Sequence, residues 1–303
     1  MSDKPIVPDF QNSDALLDEL FADVSKWEGT LAGGQQLAVG GQALDSLKET
    51  KVQFGNPKDN LIAITEAVLH NSGLAVTSIR KQQMETGYDF YYMTLTVDMR
   101  PKPGAVFKSL TCELNFGPKG PDEPIVQTIF PSTKWHDVLA FGGGMSLALD
   151  GNLDWQVGID ASQVANATGL PADMKADVVN KNEMKSFIVM PDFSYSLGRF
   201  DIAAAGEGNS ECYWHIEDDD LQKAISFKFG VVFKVPKGTE SITLTGLAWA
   251  EPNMSWLTAT VRNVFRDLSE KLQNLLRKRE DASKEFAKGA AEEWTLMLPK
   301  AVE

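Results

Sequence analysis

The sequence predicts an α+β fold that is mainly antiparallel β: a β-sandwich or open barrel flanked by an N-terminal helix and a long C-terminal amphipathic helix. Many short segments between residues 74 and 250 are rich in β-branched and aromatic residues and are bounded by Gly or Pro. No regular helical crossovers separate these segments, as a parallel sheet would require. Clear helical spacing of apolar residues is found near the two ends of the 303-residue chain.

Residues 1–58 are predicted to form an arm, a helix and a glycine-rich loop. Ser13 or Asp14 is predicted to cap the helix, which continues to about Trp27 because apolar residues recur three and four positions apart. Those apolar residues are Leu16, Leu17, Leu20, Phe21 and Val24. The glycines that follow predict a loop over residues 29–43.

Residues 59–254 are predicted to form the antiparallel β body. A short helix is predicted from Asp59 or Asn60 to His70, and residues 74–84 and 88–100 are predicted to pair as a hairpin around residues 85–87. Further strands are predicted where β-favouring runs end at a turn or at Gly and Pro. These runs are residues 106–116, 124–130, 211–216, 225–235 and 240–250.

Residues 146–160 alternate strictly between an apolar and a mostly polar face, over far more positions than a strand of average length. Residues 193–204 alternate in part. A half-buried strand of a soluble sheet has the same pattern as a strand of a membrane barrel. If these runs crossed a bilayer, the membrane-facing residues would be Leu147, Leu149, Leu153, Trp155, Val157, Ile159, Phe193, Tyr195 and Leu197.

Residues 255–303 are predicted to form the C-terminal amphipathic helix. Its apolar residues keep helical spacing and form one stripe, which would either pack on the chain's own sheet or dock onto a partner. The partner-interface candidates are Leu257, Val261, Phe265, Leu268, Leu272, Leu275 and Leu276.

The charge balance argues against a nucleic-acid partner for the chain as a whole. The chain has 29 Lys and Arg against 42 Asp and Glu, which gives a net charge of −13 and repels phosphate backbones. We find no signal-peptide pattern at the N-terminus and no apolar stretch of transmembrane length, and the two cysteines do not make a disulfide framework. These absences predict a cytoplasmic protein with two buried thiols.

No motif with a catalytic or ligand-binding mechanism is found. The phosphate-binding loop, the dinucleotide fingerprint and the common hydrolase and zinc motifs are all absent. His215, Glu217 and the aspartates 218–220 form the one local cluster of metal-ligand chemistry, and it lacks the spacing of a calcium loop. We therefore predict no catalytic residues, no metal, no cofactor and no identifiable small-molecule ligand.

Several functions remain compatible with this sequence. The main hypothesis is a non-catalytic interaction or scaffold protein, whose β body and terminal helix assemble with a second copy or with a protein partner. The first alternative is a pore-forming effector that converts from a soluble to a membrane-inserted form by inserting strands 146–160 and 193–204. The others are an enzyme with a scattered carboxylate site and a barrel that holds a small apolar ligand.

Overall fold

Most of the described chain is folded into two antiparallel β-sheets, together with three helices. The structure is a computed structural model, and it describes residues 7–28, 34–65, 82–85, 87–130, 144–148, 187–191, 201–219, 221–262 and 282–300. The helices are α1 (Phe10–Glu28), α2 (Gly34–Glu49) and α3 (Met254–Arg262). Short 3-10 turns cover Pro57–Asn60, Leu221–Lys223 and Ala282–Phe286.

The strands of the first half of the chain are β1 (Lys51–Phe54), β2 (Leu61–Ile64), β3 (Tyr88–Arg100), β4 (Phe107–Gly117), β5 (Ile125–Phe130) and β6 (Gly144–Ala148). Those of the second half are β7 (Phe187–Pro191), β8 (Asp201–Ala205), β9 (Glu211–Glu217), β10 (Ser226–Pro236), β11 (Ser241–Pro252) and β12 (Lys288–Met297).

We call the two five-stranded sheets sheet A and sheet B. Sheet A has the order β1-β3-β10-β5, and β2 also pairs with β3. Sheet B has the order β12-β11-β4-β9-β8. Every pairing in both sheets is antiparallel.

Aromatic contacts between the sheets show how the core closes. The ring centroids of Phe116 in β4 and Phe233 in β10 are 5.0 Å apart, and those of Trp214 in β9 and Phe229 in β10 are 4.7 Å apart. At one edge the ring of Phe54 in β1 meets Trp294 in β12 edge-on at 5.3 Å. Alternation in β3, β4, β9 and β10 puts one apolar face of each strand into this core.

The N-terminal helices pack together and cover part of the sandwich. Leu17 and Leu20 of α1 and Leu44 and Leu47 of α2 are buried in the same core as the strands. The side chain of Asp9 accepts a hydrogen bond from the backbone N–H of Asn12, at 3.1 Å, and so caps α1. The helix therefore begins earlier than the predicted caps, Ser13 and Asp14, because Asp9 supplies the acceptor.

The mainly antiparallel β fold and the N-terminal helix are confirmed. The predicted strands 88–100, 106–116, 124–130, 211–216, 225–235 and 240–250 agree with β3, β4, β5, β9, β10 and β11 to within one or two residues at nearly every end. Cys112 and Cys212 are buried and form no disulfide, as predicted.

Two predictions near the N-terminus are wrong. The loop predicted over residues 29–43 is helical from Gly34 onward, because burial of Ala43, Leu44 and Leu47 outweighs the low helix propensity of glycine. The helix predicted from residue 59 or 60 to His70 is instead strand β2 over Leu61–Ile64, which pairs with β3. Residues 66–70 lie outside the described residues.

The hairpin predicted from residues 74–84 and 88–100 is not supported at its first strand. Residues 82–85 form a helical turn, and residues 74–81 lie outside the described residues. Residues 90–93 of β3 pair with β2 on the edge that the predicted first strand of the hairpin would have taken.

The long C-terminal helix is not observed. Helix α3 covers Met254–Arg262, and residues 288–297 form strand β12 at the edge of sheet B. Pairing with β11 from Ser241 to Ala250 satisfies the backbone groups on one side of this edge strand, and Leu296 is completely buried. Residues 263–281 lie outside the described residues.

Candidate functional site

Among the described residues, strands β6 and β7 form a two-stranded sheet that shares no pairing with sheets A and B. In their antiparallel register Gly144 lies opposite Pro191 and Ala148 lies opposite Phe187. The chain leaves β6 after Ala148 and re-enters β7 at Phe187. The pair therefore holds the two ends of segment 149–186 next to each other, as the base of a hairpin would.

The sequence explains both strands of this pair. Residues 187–190 are Phe, Ile, Val and Met, and Pro191 ends the run. Gly144–Ala148 is the start of the alternating run, with Leu147 between the small residues Ser146 and Ala148. Sequence reasoning missed β7 as the partner of β6, although this short β-favouring run was the signal that could have identified it.

One of the nine membrane-facing candidates, Leu147, is among the described residues. Leu147 lies in β6, where its register partner is Ile188 of β7. The remaining candidates lie outside the described residues; they are Leu149, Leu153, Trp155, Val157, Ile159, Phe193, Tyr195 and Leu197. Of the run at 193–204, the part that is described forms β8.

Of the partner-interface candidates, the structure describes the first two, Leu257 and Val261. Leu257 lies in α3, is fully buried and belongs to the chain's own core, so it is not available to a partner in this fold. Val261 also lies in α3. The others lie outside the described residues; they are Phe265, Leu268, Leu272, Leu275 and Leu276.

The histidine singled out in the sequence is held by two neighbouring side chains. His215 Nδ1 is 2.8 Å from the hydroxyl of Thr111, and its Nε2 is 3.1 Å from a carboxylate oxygen of Glu217. Lys108 Nζ lies 3.9 Å from the other oxygen of Glu217. Because Thr111 is buried, its hydroxyl is not accessible as a nucleophile. In the described ranges no group of three or more His, Cys, Asp or Glu is placed to hold a metal ion.

The two thiols are not reactive centres. Cys112 and Cys212 face the core from adjacent strands of sheet B. Burial raises the pKa of each thiol well above its usual range, and the neighbouring Cys212 adds to the effect on Cys112. Since the thiolate is the nucleophile, both groups are inert at neutral pH.

No described helix is both long enough and apolar enough to cross a bilayer.

Comparison with known proteins gives distant structural similarities. No protein-family model matches the chain, and no curated protein matches it. Clostridium perfringens delta-toxin is 11% identical with a TM-score of 0.33, over 67% of this chain and 78% of that one. A structure described as a pore forming protein is 8% identical with a TM-score of 0.33, over the same shares.

A third structure, the Clostridium perfringens NetB toxin in its membrane inserted form, is 8% identical with a TM-score of 0.28, over 67% of this chain and 83% of that one. TM-scores and identities this low carry no inference about the function of this chain.

Proposed function

We propose that the protein is a pore-forming protein that passes from a soluble fold to a membrane-inserted β-hairpin. The observation that carries this proposal is the pair β6–β7. It starts the alternating run of residues 146–160, shares no strand pairing with sheets A and B among the described residues, and joins both ends of segment 149–186. A transmembrane β-strand needs about 9–11 residues of such alternation, and this run exceeds that length.

The register of β6 and β7 gives the inserted hairpin a specific pairing. If the register of Ala148 and Phe187 continues away from the base, Asp150 meets Lys185, Asp154 meets Lys181, and Asp160 meets Lys175. Each aspartate between residues 149 and 160 then lies opposite a lysine. Opposite charges directly across an antiparallel pair stabilise it, so these pairs favour this register on the polar, lumen-facing side.

The other face of the same hairpin is apolar along its first strand. Leu149, Leu153, Trp155, Val157 and Ile159 follow Leu147 on that face. The second strand contributes Ile188, Met184, Val178 and Ala176, with Ser186, Asn180 and Asn182 as polar exceptions. This face would lie against lipid.

With this register, the second spanning strand consists of residues 175–189, which lie opposite residues 146–160. The sequence pattern predicts residues 193–204 as the second inserting strand, but Phe193, Tyr195 and Leu197 follow β7 in sequence and so come after the base of this hairpin. We place these three residues outside the spanning part.

Dye release from liposomes tests the function. Phosphatidylcholine vesicles are suitable because the net charge of −13 disfavours anionic lipids. We expect leakage by the full chain, either directly or after limited proteolysis. Val157→Asp should abolish it, because a carboxylate on the lipid face destabilises the inserted strand near the bilayer centre. Gln156→Asp, on the polar face, is the matched control and should leak like the parent chain.

No leakage under any activating condition would overturn the proposal, as would equal leakage by the Val157→Asp and Gln156→Asp variants. Circular dichroism of both variants in solution separates a failure to insert from a failure to fold.

A charge exchange tests the register. Asp154→Lys should reduce leakage because it places two lysines opposite each other, and adding Lys181→Asp should restore it. Adding Lys185→Asp instead keeps the same net charge but the wrong pairing, and should restore less. Equal rescue by both second changes would contradict the proposed register.

A further inference from the structure

A pocket of about 360 Å³ lies on the outward face of sheet B, beside the turn between β8 and β9. Alternation turns its side chains away from the core, because their chain neighbours Leu114 and Cys212 belong to it. The volume falls in the range of small-molecule sites. The side chains that line the pocket on this face are Leu247 and Thr245 of β11, Glu113 and Asn115 of β4, Tyr213 and Glu211 of β9, and Ala205 of β8.

Three of these side chains are open to a ligand. Asn115 and Thr245 are exposed and Tyr213 is partly buried, and none of them makes a side-chain hydrogen bond to another described residue. An amide and a hydroxyl each donate and accept hydrogen bonds, and a tyrosine adds an apolar ring with a polar tip. Glu113 and Glu211 have interactions of their own, so we do not count them among the ligand-binding groups.

The three open groups surround one patch of the sheet. Thr245 lies directly opposite Asn115 in the register of β4 and β11. Tyr213 lies opposite Glu113, two residues before Asn115, and is therefore a diagonal neighbour of Asn115 at about 7–8 Å. One small ligand can reach all three groups at once.

Two small residues leave the space beside the Tyr213 ring open. Ala205 is the register partner of Tyr213 in β8, and Gly206 follows it. Gly206 has a φ of +134°, and a Cβ atom there would collide with Cys212, so this position requires glycine. On this side the pocket wall is a methyl group and bare backbone, which leaves room for a ring-shaped ligand.

This set of groups suits a neutral sugar. The hydroxyl groups of a sugar both donate and accept hydrogen bonds, as Asn115 and Thr245 do, and the C–H groups on one face of the ring pack flat on an aromatic side chain. Leu247 lies two strands away from Tyr213, at about 10 Å, and offers an apolar contact to a second ring. Among the described residues that line the pocket there is no Lys, Arg or His to pair with an anionic ligand.

We propose that this pocket binds a neutral disaccharide. One sugar ring stacks on Tyr213, Asn115 and Thr245 exchange hydrogen bonds with the hydroxyl groups, and the second ring packs against Leu247. The site lies on β4, β9 and β11 and is independent of the proposed membrane hairpin.

Isothermal titration of the full chain with lactose, maltose and cellobiose tests the proposal, and sorbitol is the open-chain control. We expect saturable binding of at least one disaccharide at millimolar concentration or below. Sorbitol should not bind, because it has the hydroxyl groups of a sugar without the flat face of a ring. Absence of binding by all of the disaccharides, or equal binding of sorbitol, would overturn the proposal.

The aromatic contact has a matched pair of variants. Tyr213→Phe keeps the ring and should bind within about twofold of the parent chain, whereas Tyr213→Leu should weaken binding roughly two- to tenfold. Binding by Tyr213→Leu at the level of the parent chain would contradict stacking on this ring.

The hydrogen bonds have a control on the same strand. Thr245→Val removes one hydroxyl group at nearly constant shape, and Asn115→Ala removes the amide; each should weaken binding roughly two- to tenfold. Thr243→Val, on the same face of β11 but outside the pocket, should bind like the parent chain. Circular dichroism of each variant verifies the fold, and equal loss by Thr245→Val and Thr243→Val would place the ligand elsewhere and overturn the proposal.

Discussion

At the scale of single residues, the contact between Phe10 and Gly289 connects the N-terminal helix to the last strand. A Cβ atom at Gly289 would lie 2.3 Å from the Phe10 ring and 2.7 Å from the carbonyl oxygen of Ala248. Gly289 pairs with Trp249 inside the β11–β12 ladder, so the backbone cannot move away without breaking that ladder. The absence of a side chain here allows α1 to approach sheet B.

We therefore expect Gly289→Ala to lower the free energy of unfolding by about 1–3 kcal/mol, because the added methyl group is forced into packed atoms. Gly87→Ala is the control, since its Cβ would lie 3.7 Å from its nearest neighbour, an ordinary contact. Urea unfolding of both variants measures the difference. Equal midpoints for the two variants would contradict the contact.

Tyr92 lowers the stability of the fold at alkaline pH. Burial raises the pKa of its phenol to about 12, and the hydrogen bond donated by Thr94 partly offsets this shift. Above pH 10 the unfolded chain loses this proton while the folded chain keeps it, so the contribution of Tyr92 to stability is complete below pH 10 and is lost as pH rises towards 12.

The loss attributable to Tyr92 is about 2–3 kcal/mol by pH 12. Urea unfolding from pH 8 upward should show a smaller decrease for Tyr92→Phe than for the parent chain. The buried thiols contribute to the alkaline decrease in both proteins, so the difference between the two slopes isolates the phenol. Identical slopes for Tyr92→Phe and the parent would show that Tyr92 is not responsible.

At the scale of elements, strands were predictable where alternation and boundary residues agreed. Strands β3, β4 and β10 have β-favouring residues on both faces and end at Pro or Gly, so local sequence and tertiary packing favour the same structure. Helix α2 was missed because its glycines indicate a loop, while its stability comes from burying Leu44 and Leu47.

Strand β12 was missed for a related reason. Its sequence, Lys-Gly-Ala-Ala-Glu-Glu-Trp-Thr-Leu-Met, has no apolar alternation in its first half and is rich in good helix formers. Its conformation depends on pairing with β11 and on Trp294 and Leu296, and these are contacts with distant parts of the chain. The partner of β6 escaped prediction because register between segments far apart in sequence is not a local property.

We expect a chain that ends at residue 287 not to reach the native fold. It would lack all of β12, and loss of the buried Leu296 side chain alone should cost about 2–5 kcal/mol of a total that is typically 5–15 kcal/mol. Thermal unfolding followed by circular dichroism measures this, with a chain lacking only residues 301–303 as control. A cooperative transition at the parent midpoint would mean that the C-terminal segment is a separate unit, as the scaffold hypothesis requires.

At the scale of the whole molecule, the described structure separates a stable framework from a candidate inserting element. Sheets A and B share one continuous core, closed by aromatic contacts between them. Among the strands that the structure describes, β6 and β7 pair with each other and not with sheets A and B. A framework of this kind can keep its fold while the hairpin rearranges, because the described part of the β6–β7 ladder shares no strand pairing with either sheet.

The most direct test of the central claim follows the environment of each residue along the proposed inserting strand. Single cysteines at positions 153–158, each labelled with an environment-sensitive fluorophore, can be compared before and after adding liposomes, since both native cysteines are buried. We expect emission to shift to the blue at positions 153, 155 and 157 and to stay unchanged at 154, 156 and 158. No shift at any position, or a shift without this alternation, would contradict insertion of the strand as a membrane β-hairpin.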